Sequence, residues 1–228
     1  MILTHIKKIL PHIILIFTLL TSGETSAEEP QSWLTLNIDQ YSDNNINLKF
    51  MGQARLEAGG ETVRYYQLTQ RFIYNAPQNI NLGVSYSFLA TNQSGLDLEG
   101  EGDFRKQHRI ELEANKRFKV SDKIRYNARN RFEFLNNTSF NNVGRRFRHR
   151  SSLEFANKNS DINFYYISEE IFVNFNDYTE KINQYRHVPI GVNINFNDNN
   201  FNCYLLGQSN LIDSDWKHRA VIGIDYNF

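Results

Sequence analysis

The residues with the most chemistry to offer are arginines and glutamates that recur at every second position. Residues 107–117 carry Arg109, Glu111, Glu113 and Arg117, and residues 125–133 carry Arg125, Arg129, Arg131 and Glu133. Residues 146–154 carry Arg146, Arg148, Arg150 and Glu154, while Arg55 and Arg71 come earlier and Glu170 and Arg219 later. A spacing of two puts such side chains on one face of a β-strand, and neighbouring strands then set Arg opposite Glu. Arginine suits that arrangement, because its planar fork binds carboxylates bidentately and keeps its charge. Two outcomes stay open: a satisfied ion-pair network filling an enclosed lumen, or a water-filled pore whose arginine excess favours a small anionic solute.

Nucleophilic catalysis needs a hydroxyl beside a base. His108, His149, His187 and His218 are the bases, and Ser151, Ser152, Ser168 and Ser209 the hydroxyls, without a recognisable local motif. His108, His149 and His218 share the parity of the apolar residues. In a membrane barrel that parity faces lipid, the side from which a lipid-hydrolysing or lipid-modifying enzyme would work. Adjacent Glu169 and Glu170, with no His at ligand spacing, do not make a metal site. Cys203 is the single cysteine, so it forms no internal disulfide. Nothing in the sequence asks for a cofactor. The 25 basic and 25 acidic residues give no case for a nucleic-acid partner.

The elements that position these groups read as strands. Ile80, Leu82, Val84, Tyr86 and Phe88 alternate with Asn81, Gly83, Ser85 and Ser87. The same period runs through Ile46-Leu48-Phe50, Tyr66-Leu68-Phe72-Tyr74, Ile110-Leu112-Ala114-Phe118, Val188-Ile190-Val192-Ile194-Phe196 and Ala220-Ile222-Ile224-Tyr226-Phe228. A period of two marks strands and fits no helix better. Polar clusters at 42–45, 75–79, 121–123, 157–160 and 197–200 have turn composition, and longer polar stretches at 91–103, 136–142 and 176–183 alternate with them. Within 161–175 the apolar residues change parity near Ser168-Glu169-Glu170, which predicts a β-bulge that aims the carboxylates inward.

Short turns alternating with longer loops, long strands and a charged second face favour a closed antiparallel transmembrane β-barrel over a soluble sandwich. The mean hydropathy of -0.54 does not oppose this, because only alternate residues of a barrel strand face lipid. The N-terminus has the grammar of an export signal: Lys7 and Lys8, an apolar run over 9–20, then Thr25-Ser26-Ala27, with cleavage expected after Ala27. That run is too short to cross ~30 Å of hydrocarbon as a helix. Residues 28–228 then form one domain, expected in the outer membrane of a Gram-negative cell among its lipids. The ending Tyr226-Asn227-Phe228 resembles the C-terminal segment by which the barrel-assembly machinery recognises its clients.

About eleven segments alternate. Bacterial single-chain barrels have even strand numbers, so the expectation is ten strands, with residues 33–41 partly in the lumen, or twelve. RNRFEF (129–134), RRFRHRSSLEF (145–155), YYISEEIFVNF (165–175) and VIGIDYNF (221–228) resemble domain-of-unknown-function family 2490. Its members are predicted outer-membrane barrels, in which an Arg-rich strand pair precedes an aromatic strand with a Glu-Ile-Phe element, here Glu170-Ile171-Phe172. The family pattern often has Asp before that Glu, where this chain has Glu169. The resemblance implies a barrel and export, and no reaction.

Overall fold

The computed structural model describes residues 28–57, 60, 62–92, 104–137, 143–157, 161–175, 182–196 and 199–228. The expected signal peptide, and most of the stretches 91–103, 136–142 and 176–183, lie outside them.

Among the described residues eleven strands make up the fold: β1 (Gln31–Ser42), β2 (Ile46–Glu57), β3 (Val63–Ala76), β4 (Ile80–Asn92), β5 (Phe104–Lys119), β6 (Ile124–Asn137), β7 (Val143–Ala156), β8 (Ile162–Asn174), β9 (Ile182–Phe196), β10 (Asn199–Ile212) and β11 (Asp215–Asn227). They pair in chain order and β1 closes on β11, so the barrel the alternation predicts is present and has no free edge. Every pair is antiparallel except β1 with β11, which run parallel with Gln31 opposite Val221 and Asn37 opposite Asn227.

That pairing corrects two expectations. The strand number is eleven, neither ten nor twelve, and residues 33–41 stand in the wall between β11 and β2 rather than in the lumen. The barrel is mixed rather than wholly antiparallel. Each strand reverses the chain, so an odd number leaves the first and last strands pointing the same way. Gln31 and Phe228 therefore sit at opposite ends.

Turn chemistry matches the polar clusters that can be seen. At 43–45 the backbone N–H groups of Ile46 and Asn45 donate to Asp43 Oδ1 at 2.6 and 2.8 Å, holding its carboxyl below the ordinary carboxylate range. Asp213 and Ser214 both have positive φ, 51° and 68°, as a two-residue hairpin turn with right-handed strand twist requires.

The two faces of the wall are inverted relative to a water-soluble domain. Leu82, Val84, Tyr86, Ile110, Leu112, Ile222 and Ile224 point outward and are each 40–50 % exposed. Between them Ser85, Ser87 and Glu111 point inward and are 2, 0 and 1 % exposed. One arc of the lumen is apolar: Trp33, Val188, Leu206 and Val221 cluster there with Tyr166 and Tyr204 against them. Tyr204 is the cross-strand partner of both Gly191 and Gly223, and Tyr166 of Gly191. A methyl group on Gly191 or Gly223 would overlap those rings, so glycine is what lets the tyrosines lie against the wall.

The bulge expected near Ser168 exists, but β9 carries it. Tyr166 pairs Gly191 while Ser168 pairs Val188, leaving an extra residue at 189–190. β9 is out of step with β10 at the same place, where Leu205 pairs Ile190 and Gly207 pairs His187. Pro189 sits in this stretch, and a residue without an N–H costs a bulge little. The parity of β8 does not switch: Tyr166, Ser168, Glu170 and Phe172 all face inward, and Glu169 faces outward, contrary to the inward aim expected for it. The apolar pattern changes because Phe164 and Tyr166 fill the lumen. The switch belongs to β9, where Val188 is buried inside while Phe196 is exposed, so Val188 does not share the outward face expected of it.

Candidate functional site

Inward positions of β5 to β9 bring the alternating arginines and glutamates into one network. The Glu170 carboxylate is 2 % exposed and is surrounded by arginines from three strands. Arg148 and Arg150 of β7 lie at 3.0 and 3.1 Å, Arg129 of β6 at 3.2 Å and Arg186 of β9 at 3.5 Å. Glu133 takes Arg148 at 2.6 Å and Arg146 at 2.5 Å, with Arg109 at 4.0 Å. Glu111 takes Arg109 at 3.0 Å, Arg131 at 3.2 Å and Arg71 at 4.0 Å, and Arg131 also reaches Glu113 at 2.6 Å. Arg148 thus ties Glu133 to Glu170, and Arg131 ties Glu111 to Glu113.

The guanidiniums stand in front of the carboxylates. A lumen cavity of about 500 Å³ is lined by eleven arginines, and Asp225 is the one acidic residue among its described lining residues. Towards the short-turn end a second cavity of about 370 Å³ shares Arg71, Arg129, Arg150, Tyr166 and Asp225 with it, so these residues form the waist between the two. The Nε atoms of Arg109, Arg148 and Arg186 are buried with no aligned acceptor; Arg109 Nε approaches Glu111 at 3.0 Å by charge attraction only.

Aromatic rings interleave with these cations. Arg55 lies between Trp33 and Tyr65, 4.0 Å from each ring centroid. Arg186 lies between Trp33 at 4.9 Å and Phe172 at 4.7 Å, and Arg148 and Arg146 meet Phe172 at 4.6 and 5.0 Å. The stack crosses from β3 and β2, through β1, to β9, β8 and β7. Each contact places a cation on the electron-rich face of a ring.

Of the arginines and glutamates expected in the lumen, Arg71, Arg109, Glu111, Glu113, Arg129, Arg131, Glu133, Arg146, Arg148, Arg150 and Glu170 come together. Arg117 and Glu154 pair apart from them at 3.8 Å, with Arg117 more than half exposed. Arg125 is exposed, opposite Glu154 in register, and lines a separate cavity beside Lys49, Asn163 and Asn200 rather than either of the two above. Arg219 pairs Glu28 at 2.9 Å, away from the network. Sequence reading missed Arg186, Trp33, Phe172 and Asp225. Arg186 shares the parity of Val188, which alternation assigns outward. Pro189 within a strand is the signal that could have reversed that assignment.

The outer wall has its own polar groups, set in a row across four strands. Asn130 is opposite His149, Ser151 opposite Glu169, and Glu169 opposite His187. Ser151 Oγ is 3.0 Å from His149 Nε2, and His149 Nδ1 is 2.8 Å from Asn130 Oδ1. The Tyr126 hydroxyl is 2.9 Å from Ser151 Oγ. Glu169 hydrogen-bonds Tyr185 and His187. Elsewhere on this wall His108 meets Tyr86 at 2.6 Å, and His218 meets Ser209 at 2.9 Å. Ser152 and Ser168 lie inward, lining the short-turn cavity.

Neither a curated protein nor a solved structure matches the chain. A family model does, over residues 30–219, a span that holds both the charged lumen and the outer polar row. With that match covering most of its length, the chain belongs to the family described as protein of unknown function (DUF2490).

Proposed function

We propose that the protein is an outer-membrane β-barrel with an envelope role, its wall braced from within by the Arg/Glu network. The observation that carries this is the inversion of the wall, apolar side chains outside and the Arg/Glu network inside. In water such an outer face would be an aggregation hazard, whereas in lipid it is the favoured surface. Strands of 12 to 16 residues exceed the ~9–11 that a tilted strand needs to cross hydrocarbon. The export signal over residues 1–27 and the closing Tyr226-Asn227-Phe228 support the same reading. Phe228 is 58 % exposed at the short-turn end, and its ring lies 4.2 Å from that of Tyr226, an aromatic edge suited to the assembly machinery.

A second reading, an anion-favouring channel or small-solute transporter, draws on the eleven arginines that line the lumen cavity of about 500 Å³. Conductance in planar bilayers separates the two. The refolded mature chain is expected to be heat-modifiable, inserted and electrically silent. Steady anion-selective steps that change with Arg129→Glu or Arg148→Glu would replace the bracing role with conduction.

A further inference from the structure

A lipid-facing wall has little reason to carry hydrogen-bonding side chains at mid-height, because each must be desolvated in hydrocarbon. Asn130, His149 and Ser151 nevertheless stand near the middle of β6 and β7, flanked outwardly by Phe132, Phe147, Leu153 and Ile171. We propose that Ser151, His149 and Asn130 are a catalytic triad on the outer wall that hydrolyses acyl esters of membrane lipids. The lipid substrate class rests on the outer-membrane reading above.

The geometry is that of an activated serine. Asn130 Oδ1 accepts the His149 Nδ1–H at 2.8 Å, which fixes the tautomer and leaves the Nε2 lone pair facing Ser151 Oγ at 3.0 Å. Strand pairing makes the arrangement rigid: His149 and Ser151 are two residues apart on β7 and so share a face, and Asn130 is the register partner of His149. The cross-strand partner of Ser151 on β6 is Ala128, whose small side chain leaves the hydroxyl approachable from the lipid side. Acyl chains lying along the neighbouring Phe and Ile side chains would bring the ester to Ser151 without leaving the bilayer. Among the described residues the Ser209–His218 pair has no third member to orient its imidazole, and there Nδ1 is the nitrogen that meets the serine.

In the reaction His149 Nε2 takes the Ser151 proton as Oγ bonds to the ester carbonyl carbon. The Tyr126 hydroxyl, 2.9 Å from Ser151 Oγ, is the group placed to donate to the oxyanion that forms. The carbonyl re-forms as the C–O bond to the alcohol breaks, and the alcohol leaves with the proton from His149. Water then adds to the acyl-serine with His149 as base, the fatty acid departs, and Ser151 regains its hydrogen. One ester and one water become one acid and one alcohol.

The test uses the full mature chain refolded into phospholipid vesicles, treated with a fluorophosphonate probe and assayed for fatty-acid release. The expected result is a phosphonylated peptide containing Ser151 and measurable release. Both are lost in Ser151→Ala and in His149→Ala, with release falling by about 10³-fold or more. Ser209→Ala is expected to label and hydrolyse as the parent does. An inserted, heat-modifiable protein that neither labels nor releases fatty acid overturns the triad and leaves the outer-membrane reading intact. Labelling at Ser151 with hydrolysis of soluble esters but not of vesicle lipid overturns the substrate class while supporting the triad.

Discussion

Arg148 Nη2 donates to both carboxylate oxygens of Glu170, at 3.0 and 3.1 Å, while Nη1 of the same guanidinium donates to Glu133 at 2.6 Å. One arginine therefore joins two buried acids on separate strands, and β6, β7 and β8 are held in register from inside the lumen. Removing one partner of a buried pair costs more than the pair contributes, because the remaining charge is left unmatched. Glu170→Gln should destabilise the barrel by about 3–5 kcal/mol, read as a lower urea midpoint for loss of the fast-migrating folded band. A midpoint within error of the parent would refute the bracing role.

The two ends of the aromatic stack should respond differently to loss of charge. Among the described residues Arg55 has no ion-paired acid; it donates to Gln53 Oε1 at 3.0 and 2.9 Å and faces Arg109 and Arg148 as like charges. Arg148→Met strands Glu133 and Glu170 and should cost about 3–5 kcal/mol. Arg55→Met should change stability by less than about 1 kcal/mol, since lost cation–π attraction is offset by relief of repulsion. Equal effects in parallel unfolding titrations would contradict the charge assignment.

Tyr204 against Gly223 makes a steric prediction. Gly223→Ala forces the ring off the wall and should cost about 1–3 kcal/mol, as overpacking does. In a Tyr204→Ala background the same change should be nearly silent. A double-mutant cycle on the folded-state midpoint measures this coupling, and strict additivity would show that ring and glycine do not interact.

The lipid-facing assignment predicts a gradient with height. Leu112 is in the middle of β5 and 48 % exposed, while Val120 follows the end of that strand at 62 %. Leu112→Arg should cost about 2–4 kcal/mol in vesicles and Val120→Arg about 0–1 kcal/mol. If both were tolerated equally, the belt would not lie in hydrocarbon.

Much of this architecture was legible because a strand's period is local. Ile80 to Phe88 alternate whatever their neighbours do, and Arg129, Arg131 and Glu133 share a face for the same reason. Arg186 was not legible, since its side depends on an extra residue at 189–190 that appears only when β9 is laid against β8 and β10. The His149-x-Ser151 spacing was visible, but Asn130 lies 19 residues before His149 and meets it only through the register of β6 on β7.

Periodicity and turn composition by themselves determined the strands and which side chains share a face, and the length and charged second face of those strands favoured a barrel over a sandwich. Each is a property of short segments, encoded where it is read. Tertiary structure decided the rest: eleven strands, closure by a parallel β1–β11 pair, and which acid meets which arginine. Closure and register are relations between segments far apart in the chain. A one-residue slip at Pro189 is enough to turn a side chain from the wall to the lumen.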